Sequence, residues 1–175
     1  FRLAMLKDKP RHANVLKLAA EKAGWGKAPE KGVHRGLAVH ESFSSYVAQV
    51  ADVALNDDGT FKVKRVVCAI DCGVAVNPDV IAAQMEGGIG YGLGAALKGA
   101  ITLKDGAVEQ SNFHDYAPMR LGETPKIEAY IRENEAAPTG VDQRSHIRAG
   151  VGGLLGKPFG TTRRDSVSSS ATAPP

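Results

Sequence analysis

The residues Gly88-Ile89-Gly90-Tyr91-Gly92-Leu93-Gly94 are the first that could do chemistry, because a glycine run lets backbone amides close around a phosphate. Their spacing argues against that use. A dinucleotide fingerprint needs G-x-G-x-x-G straight after a strand and opening a helix, whereas these glycines alternate and fall deep inside a predicted helix. No Lys-Ser or Lys-Thr pair follows, which excludes a phosphate loop. Two uses remain for the glycines: close packing of the helix on a sheet, and close approach of a large ligand. Gln84 and Glu86 stand just ahead of the run. A side-chain amide there offers a polar ligand both a donor and an acceptor, although a helical Gln taken alone is more often a surface residue.

Other reactive residue types are present without a reactive pattern. His34, His40 and His114 fit neither a helical H-x-x-x-H nor a finger spacing, which leaves solvent-facing or core-satisfied histidines as the simpler reading. His40, Glu41 and Ser42 supply hydrolase residue types, but neighbours on a strand point to opposite faces. Cys68 and Cys72 are spaced neither as a redox pair nor as half of a convincing zinc site. Asn112-Phe113-His114-Asp115-Tyr116 could line a site or cap a hairpin, and periodicity leaves both open.

The elements that must position these residues follow from local pattern. Pro10 to Ala23 reads as a helix with Val15, Leu16, Leu18, Ala19 and Ala23 near one face, and Gly24 as its stop. His34 to Leu55 reads as a long strand or two. Asn56-Asp57-Asp58-Gly59 is a turn, and Phe61 to Ile70 closes a hairpin. Asn77-Pro78-Asp79 starts a helix running towards Leu97: Asn77 caps free amides, Pro78 needs no donor, and Asp79 favours the positive helix end. Gly87, Gly88, Gly90, Gly92 and Gly94 lie inside that helix, each costing about 1 kcal/mol against Ala. Ile101 to Val108 suggests a second hairpin around Lys104-Asp105-Gly106, and Ile127 to Arg132 a further strand. Strands and helices are intermixed rather than strictly alternating, so the expected class is α+β: hairpins of a mixed sheet packed with a glycine-rich helix.

Composition bounds the rest. The 175 residues are 43% hydrophobic and 23% charged, ordinary globular usage, with a formal net charge of +3. That charge is too mild to argue for nucleic acid. No apolar run approaches the ~20 residues of a membrane span. Of 20 glycines, seven fall between Gly87 and Gly106, so the excess is local. The opening Phe1-Arg2-Leu3 carries no signal pattern, and we expect the chain to be the C-terminal part of something longer. Two thiols do not reveal the compartment.

Several segments, taken together and in order, carry a resemblance. Gly36-Leu37-Ala38-Val39-His40-Glu41-Ser42-Phe43, Ala69-Ile70-Asp71-Cys72-Gly73 and Val76-Asn77-Pro78 resemble the molybdopterin-binding subunit of the xanthine dehydrogenase and aldehyde oxidase family. Gln84-Met85-Glu86-Gly87-Gly88-Ile89 is similar to that family's Q-x-E-G helix. Asn112 to Tyr116 with Met119-Arg120, and Pro125-Lys126-Ile127-Glu128, are most similar to the large subunit of isoquinoline 1-oxidoreductase and its aldehyde-oxidising relatives. The likeness runs from about Arg11 to Val141, so residues 1–141 are expected to be part of a molybdopterin-binding domain.

The resemblance implies hydroxylation of an aldehyde or an N-heterocycle with water as the oxygen source. It implies a molybdopterin cofactor, as the cytosine dinucleotide, and partners: the remainder of the large subunit, a small subunit carrying [2Fe–2S] clusters, and a small-molecule substrate. By the motif match Gln84 is the cofactor contact, with Gly87 and Gly88 permitting approach. Glu86 is expected to be structural, and Asp71, Cys72 and Asn77 to serve turn and cap chemistry. Export by a twin-arginine signal and retention in the cytoplasm both stay open.

The match fails after Pro138-Thr139-Gly140-Val141. There the family continues Gly-Glu-Pro, and the Glu is its general base. Here Asp142-Gln143-Arg144-Ser145 follows, so Gln143 stands at the position of that Glu, and an amide cannot take up a proton at neutral pH. Residues 142–175 are rich in Arg, Gly and Ser with no periodic apolar face, and read as a divergent, solvated tail. A shifted reading frame and genuine divergence are the two explanations. With the base missing, a non-catalytic remnant or scaffold is the alternative to an enzyme piece.

Overall fold

The computed structural model describes residues 1–141, and the expectations for Gln143 and for the tail 142–175 lie outside the described residues. A short helix α1 (Arg2–Met5) precedes α2 (Pro10–Lys22), which ends as expected, with Gly24 in the left-handed region. Two long strands follow, β1 (Val33–Ser42) and β2 (Ser45–Leu55), then β3 (Phe61–Asp71). The long helix α3 (Pro78–Leu97) leads to a small hairpin, β4 (Leu103–Lys104) and β5 (Ala107–Val108), a 3-10 turn at Leu121–Glu123, and β6 (Lys126–Ile131).

The sheet order is β1-β2-β3-β6, with the first two pairings antiparallel and β3–β6 parallel. Helix α3 is therefore the crossover of a β-α-β unit added to a three-stranded meander. The mixed sheet bears out the α+β expectation. The span from His34 to Leu55 resolves into two strands joined at Phe43 (φ 51°) and Ser44 (φ 61°), a two-residue turn with both φ values positive. Neither residue is the Asn, Asp or Gly that such a turn favours, so the break had little local signal.

Side-chain alternation divides the core into two layers. Leu37, Ala48, Val50, Val67 and Ala69 face α2, where they meet Val15, Leu16, Ala19 and Ala23. Val47, Ala51, Val66, Cys68 and Ile70 face α3 and meet Ile81, Met85, Ile89 and Leu93. A bulge between β2 and β3 keeps this division intact: Asp52 pairs Arg65 while Val53 pairs Val63, leaving Lys64 as the extra residue. Val63 and Val66, three apart, thus both reach the α3 side.

Helix α3 begins as its sequence dictates, with the Val80 amide donating to Asn77 Oδ1 at 3.1 Å. Burying Ile81, Met85, Ile89 and Leu93 is worth about 1.5–3 kcal/mol each, more together than the roughly 5 kcal/mol that five interior glycines cost. Packing, rather than propensity, holds this helix.

Candidate functional site

The glycines of α3 serve two different faces. Gly88 and Gly92 are buried with Ile81, Met85, Ile89 and Leu93 on the side turned to the sheet. Gly87, Gly90 and Gly94 line a cleft of about 480 Å³ with Tyr91, Gly99, Phe113, Tyr116 and Met119. A Cβ built on Gly90 meets nothing within 4 Å, and one on Gly94 would lie 3.7 Å from Met119 Cβ. One face of the helix thus packs closely on the sheet, and another borders an open cleft.

Gln84 is half-buried one turn before Gly88 on the same flank, and Glu86 is exposed. The structure brings Gln84 and Gly87 onto the same stretch of helix and turns Gly88 to the core. His34 is exposed and His40 half-buried on β1, while exposed His114 sits in the loop after β5. The segment Ser111–Tyr116 is an exposed, self-bonded turn in which Asp115 accepts from the Ser111 and Asn112 amides at 2.8 and 2.9 Å. It supplies Phe113 and Tyr116 to one wall of the cleft.

A second constellation lies where β3 and β6 end. Asp71, 2% exposed, accepts from Arg11 Nε at 3.1 Å, from Asn134 Nδ2 at 2.6 Å and from the Gly73 amide at 3.2 Å. Burial alone would push its carboxyl up; the Arg11 guanidinium, the Gly73 amide and Asn134 outweigh that and hold it below the usual carboxylate range. Gly73 (φ 76°) is needed here, because a Cβ would stand 2.2 Å from the Ala137 carbonyl oxygen. The strap after β6 is tied further by the Thr139 amide to the Cys72 carbonyl at 2.9 Å. Fully buried Ser45 completes it, with Oγ 2.7 Å from both Thr139 Oγ1 and the Gly140 carbonyl. Asp71 was expected in a turn; its role is larger, the anchor of an ion pair joining α2 to the strap. Apart from the Gly73 amide, these contacts span 60 or more residues, and no local motif announces them.

The thiols are not poised for reaction. Burial pushes the Cys68 thiol up to about 12, and the Cys72 thiol rises for the same reason, helped by the Asp71 charge. Both remain protonated at neutral pH, so neither is a nucleophile.

Comparison with known proteins agrees with this architecture. The family model of the molybdopterin cofactor-binding domain matches residues 11–125, and the chain belongs to that family. The isoquinoline 1-oxidoreductase subunit beta of Brevundimonas diminuta is 37% identical over 154 residues, covering 86% of this chain and 20% of that protein. Among solved structures, the Cu,Mo-CO dehydrogenase in its carbon monoxide reduced state aligns with a TM-score of 0.58 at 26% identity, over 63% of this chain and 15% of that one. Quinoline 2-oxidoreductase from Pseudomonas putida 86 aligns with a TM-score of 0.55 at 22% identity, over 62% and 15%, and shares the fold. The chain spans about a fifth of the length of the curated Brevundimonas diminuta relative.

Proposed function

We propose that this chain is the C-terminal cofactor-binding portion of a molybdenum hydroxylase that oxidises aldehydes or N-heterocycles with water as the oxygen source. Membership of the molybdopterin cofactor-binding domain family carries the reading, and the shape of α3 supports it. A large polar ligand held by hydrogen bonds needs clearance and amide groups rather than a charged cluster. The cleft along Gly87, Gly90 and Gly94 gives that clearance, and the open space where a Gly90 Cβ would stand fits such a group. Gln84 would donate and accept through its amide, Gly87 would let the ligand reach the backbone, and Gly88 would keep the helix close enough to the sheet to hold both in place.

When bound, the cofactor, in the cytosine dinucleotide form, supplies the redox chemistry that transfers oxygen to a substrate carbon. Electrons would leave through [2Fe–2S] clusters on a small partner subunit, and the remainder of the large subunit would complete the substrate pocket. This chain's own part is to orient the cofactor. The Asp71–Arg11 anchor and the Ser45–Thr139 clasp would fix the course of the backbone up to Val141.

The second reading, a cofactor-binding but non-catalytic remnant or scaffold, rests on Gln143 at the position of the family's general base. One preparation separates the two. The longer protein containing this chain is purified from a molybdenum-replete host, and molybdenum, pterin fluorescence after oxidation, and turnover are measured. Stoichiometric molybdenum and pterin, reduced at least tenfold by Gln84→Ala with unchanged melting, support the cofactor site; absence of both from a folded protein overturns it. Cofactor without turnover, with turnover restored by Gln143→Glu, selects the remnant.

A further inference from the structure

The face of the sheet opposite α3 has a character the cofactor reading does not use. Residues 1–31 hold eight Lys and Arg against three Asp and Glu, whereas residues 32–141 hold nine against fourteen. Charge is thus segregated within a chain whose net value is small. The first segment is α1, α2 and the loop to β1, and α2 packs on the sheet face away from α3. Arg2, Lys7, Lys9, Lys17, Lys22, Lys27 and Lys31 are all exposed. Among the described residues Arg11 alone of the eight is engaged in an ion pair.

Within this cationic layer lies a groove of about 390 Å³ whose walls include Leu16, Ala20, Trp25 and Leu37, with Lys17 at its side. Leu37 belongs to β1, which pairs with β2 on one side and, among the described residues, with nothing on the other. An apolar slot, the open edge of the ten-residue strand that carries Leu37, and two cations, Arg2 and Lys17, therefore meet at the groove, while Lys22 lies over the Tyr130 ring of β6 at the far edge of the sheet. Each selects a feature of the partner: a side chain to fill the slot, an extended backbone to meet the edge, and carboxylates to meet the cations.

We propose that this face is a docking surface for a carboxylate-rich polypeptide segment carrying an apolar anchor residue. Charge complementarity supplies the partner's sign, and the concave slot favours a polypeptide over a lipid surface, which would need a protruding apolar face. Nucleic acid fits poorly, because the groove offers an apolar slot flanked by two cations, Arg2 and Lys17, rather than a run of phosphate-gripping side chains. The proposal is independent of the cofactor reading, since it lies on the opposite face of the sheet.

Trp25 is the single tryptophan of the chain and lines the groove, so its emission reports occupancy directly. The full 175-residue chain is titrated with a synthetic Glu- and Asp-rich peptide bearing a central Leu-Phe pair, and the anisotropy of a labelled copy of the peptide is followed in parallel. A saturable blue shift is expected, with affinity falling about tenfold as salt rises from ~0.05 to ~0.5 M. Lys17→Glu should weaken binding about two- to fivefold, while Lys104→Glu on the distant β4 hairpin leaves it unchanged. Unaltered melting of both variants removes unfolding as a cause. The proposal is overturned by any of three results: no saturable response, equal binding of an acidic peptide lacking the apolar pair, or tighter binding of phosphatidylglycerol vesicles or oligo(dT).

Discussion

Asp71 shows how much one side chain carries. It is a buried carboxylate whose partners come from α2, from the turn after β3 and from the strap after β6. Removing it as Asp71→Ala leaves the Arg11 guanidinium without its counter-charge, at a cost of about 3 kcal/mol, read as a fall in chemical-denaturation midpoint. Its carboxyl lies below the usual range in the fold, and Glu128, bonded by Arg65 and Lys126, is held down to about 2. Groups with depressed native values contribute stability that is complete above their unfolded pKa of about 4 and lost as pH falls through the native value. Melting temperature should therefore drop between about pH 4 and 2, with a shallower drop in Glu128→Gln. An equally steep acid limb in that variant would assign the loss to other carboxylates. Gly73→Ala meets both the positive φ and the Ala137 carbonyl, and should cost about 3 kcal/mol in the same denaturation assay.

At the scale of elements, α3 separates two demands that a single glycine-rich string conflates. Asn77→Ala should lower stability by about 1 kcal/mol, because the cap it gives Val80 is lost. Gly90→Ala should act the other way. Its Cβ enters open space, so helix propensity raises stability by about 0.5–1 kcal/mol, measured as a higher denaturation midpoint. If the cleft also receives the cofactor, the same variant should load less molybdopterin than the parent while being more stable. A more stable variant with full pterin content would move the ligand away from the Gly87–Gly94 face. The capped start, the span of the helix and the oddity of its interior were all readable from spacing. Which glycines faced the sheet was harder to read: Ile81, Met85, Ile89 and Leu93 recur every four residues and set Gly88 and Gly92 beside them, but Val80, Tyr91 and several alanines on the other faces blur that stripe.

At the scale of the whole molecule, the chain belongs to the molybdopterin cofactor-binding domain family and spans about a fifth of the length of a matched relative. The departure from the family pattern expected after Val141 can be tested at the level of DNA. Sequencing the gene across the codons for Thr139 to Pro175 and translating all three frames should reveal Gly-Glu-Pro in another frame if the reading frame has shifted. Absence of that motif from every frame would make the tail a true divergence and Gln143 the native residue.

The amino-acid string by itself determined the local elements, their caps and the order of motifs that mark the family. Those depend on neighbours a few residues apart: Asn77 on Val80, Asp57 to Gly59 on the strands they join, and alternation within β2 and β3. Folding alone decided the parallel pairing of β3 with β6, the break at Phe43-Ser44 and the clasp of Ser45, Asp71 and the strap. Apart from the local break at Phe43-Ser44, those contacts join residues 60 to 95 positions apart, where no periodicity connects the partners. Their energy comes from burial and charge pairing that exist only once α2, the sheet and α3 have closed on one another.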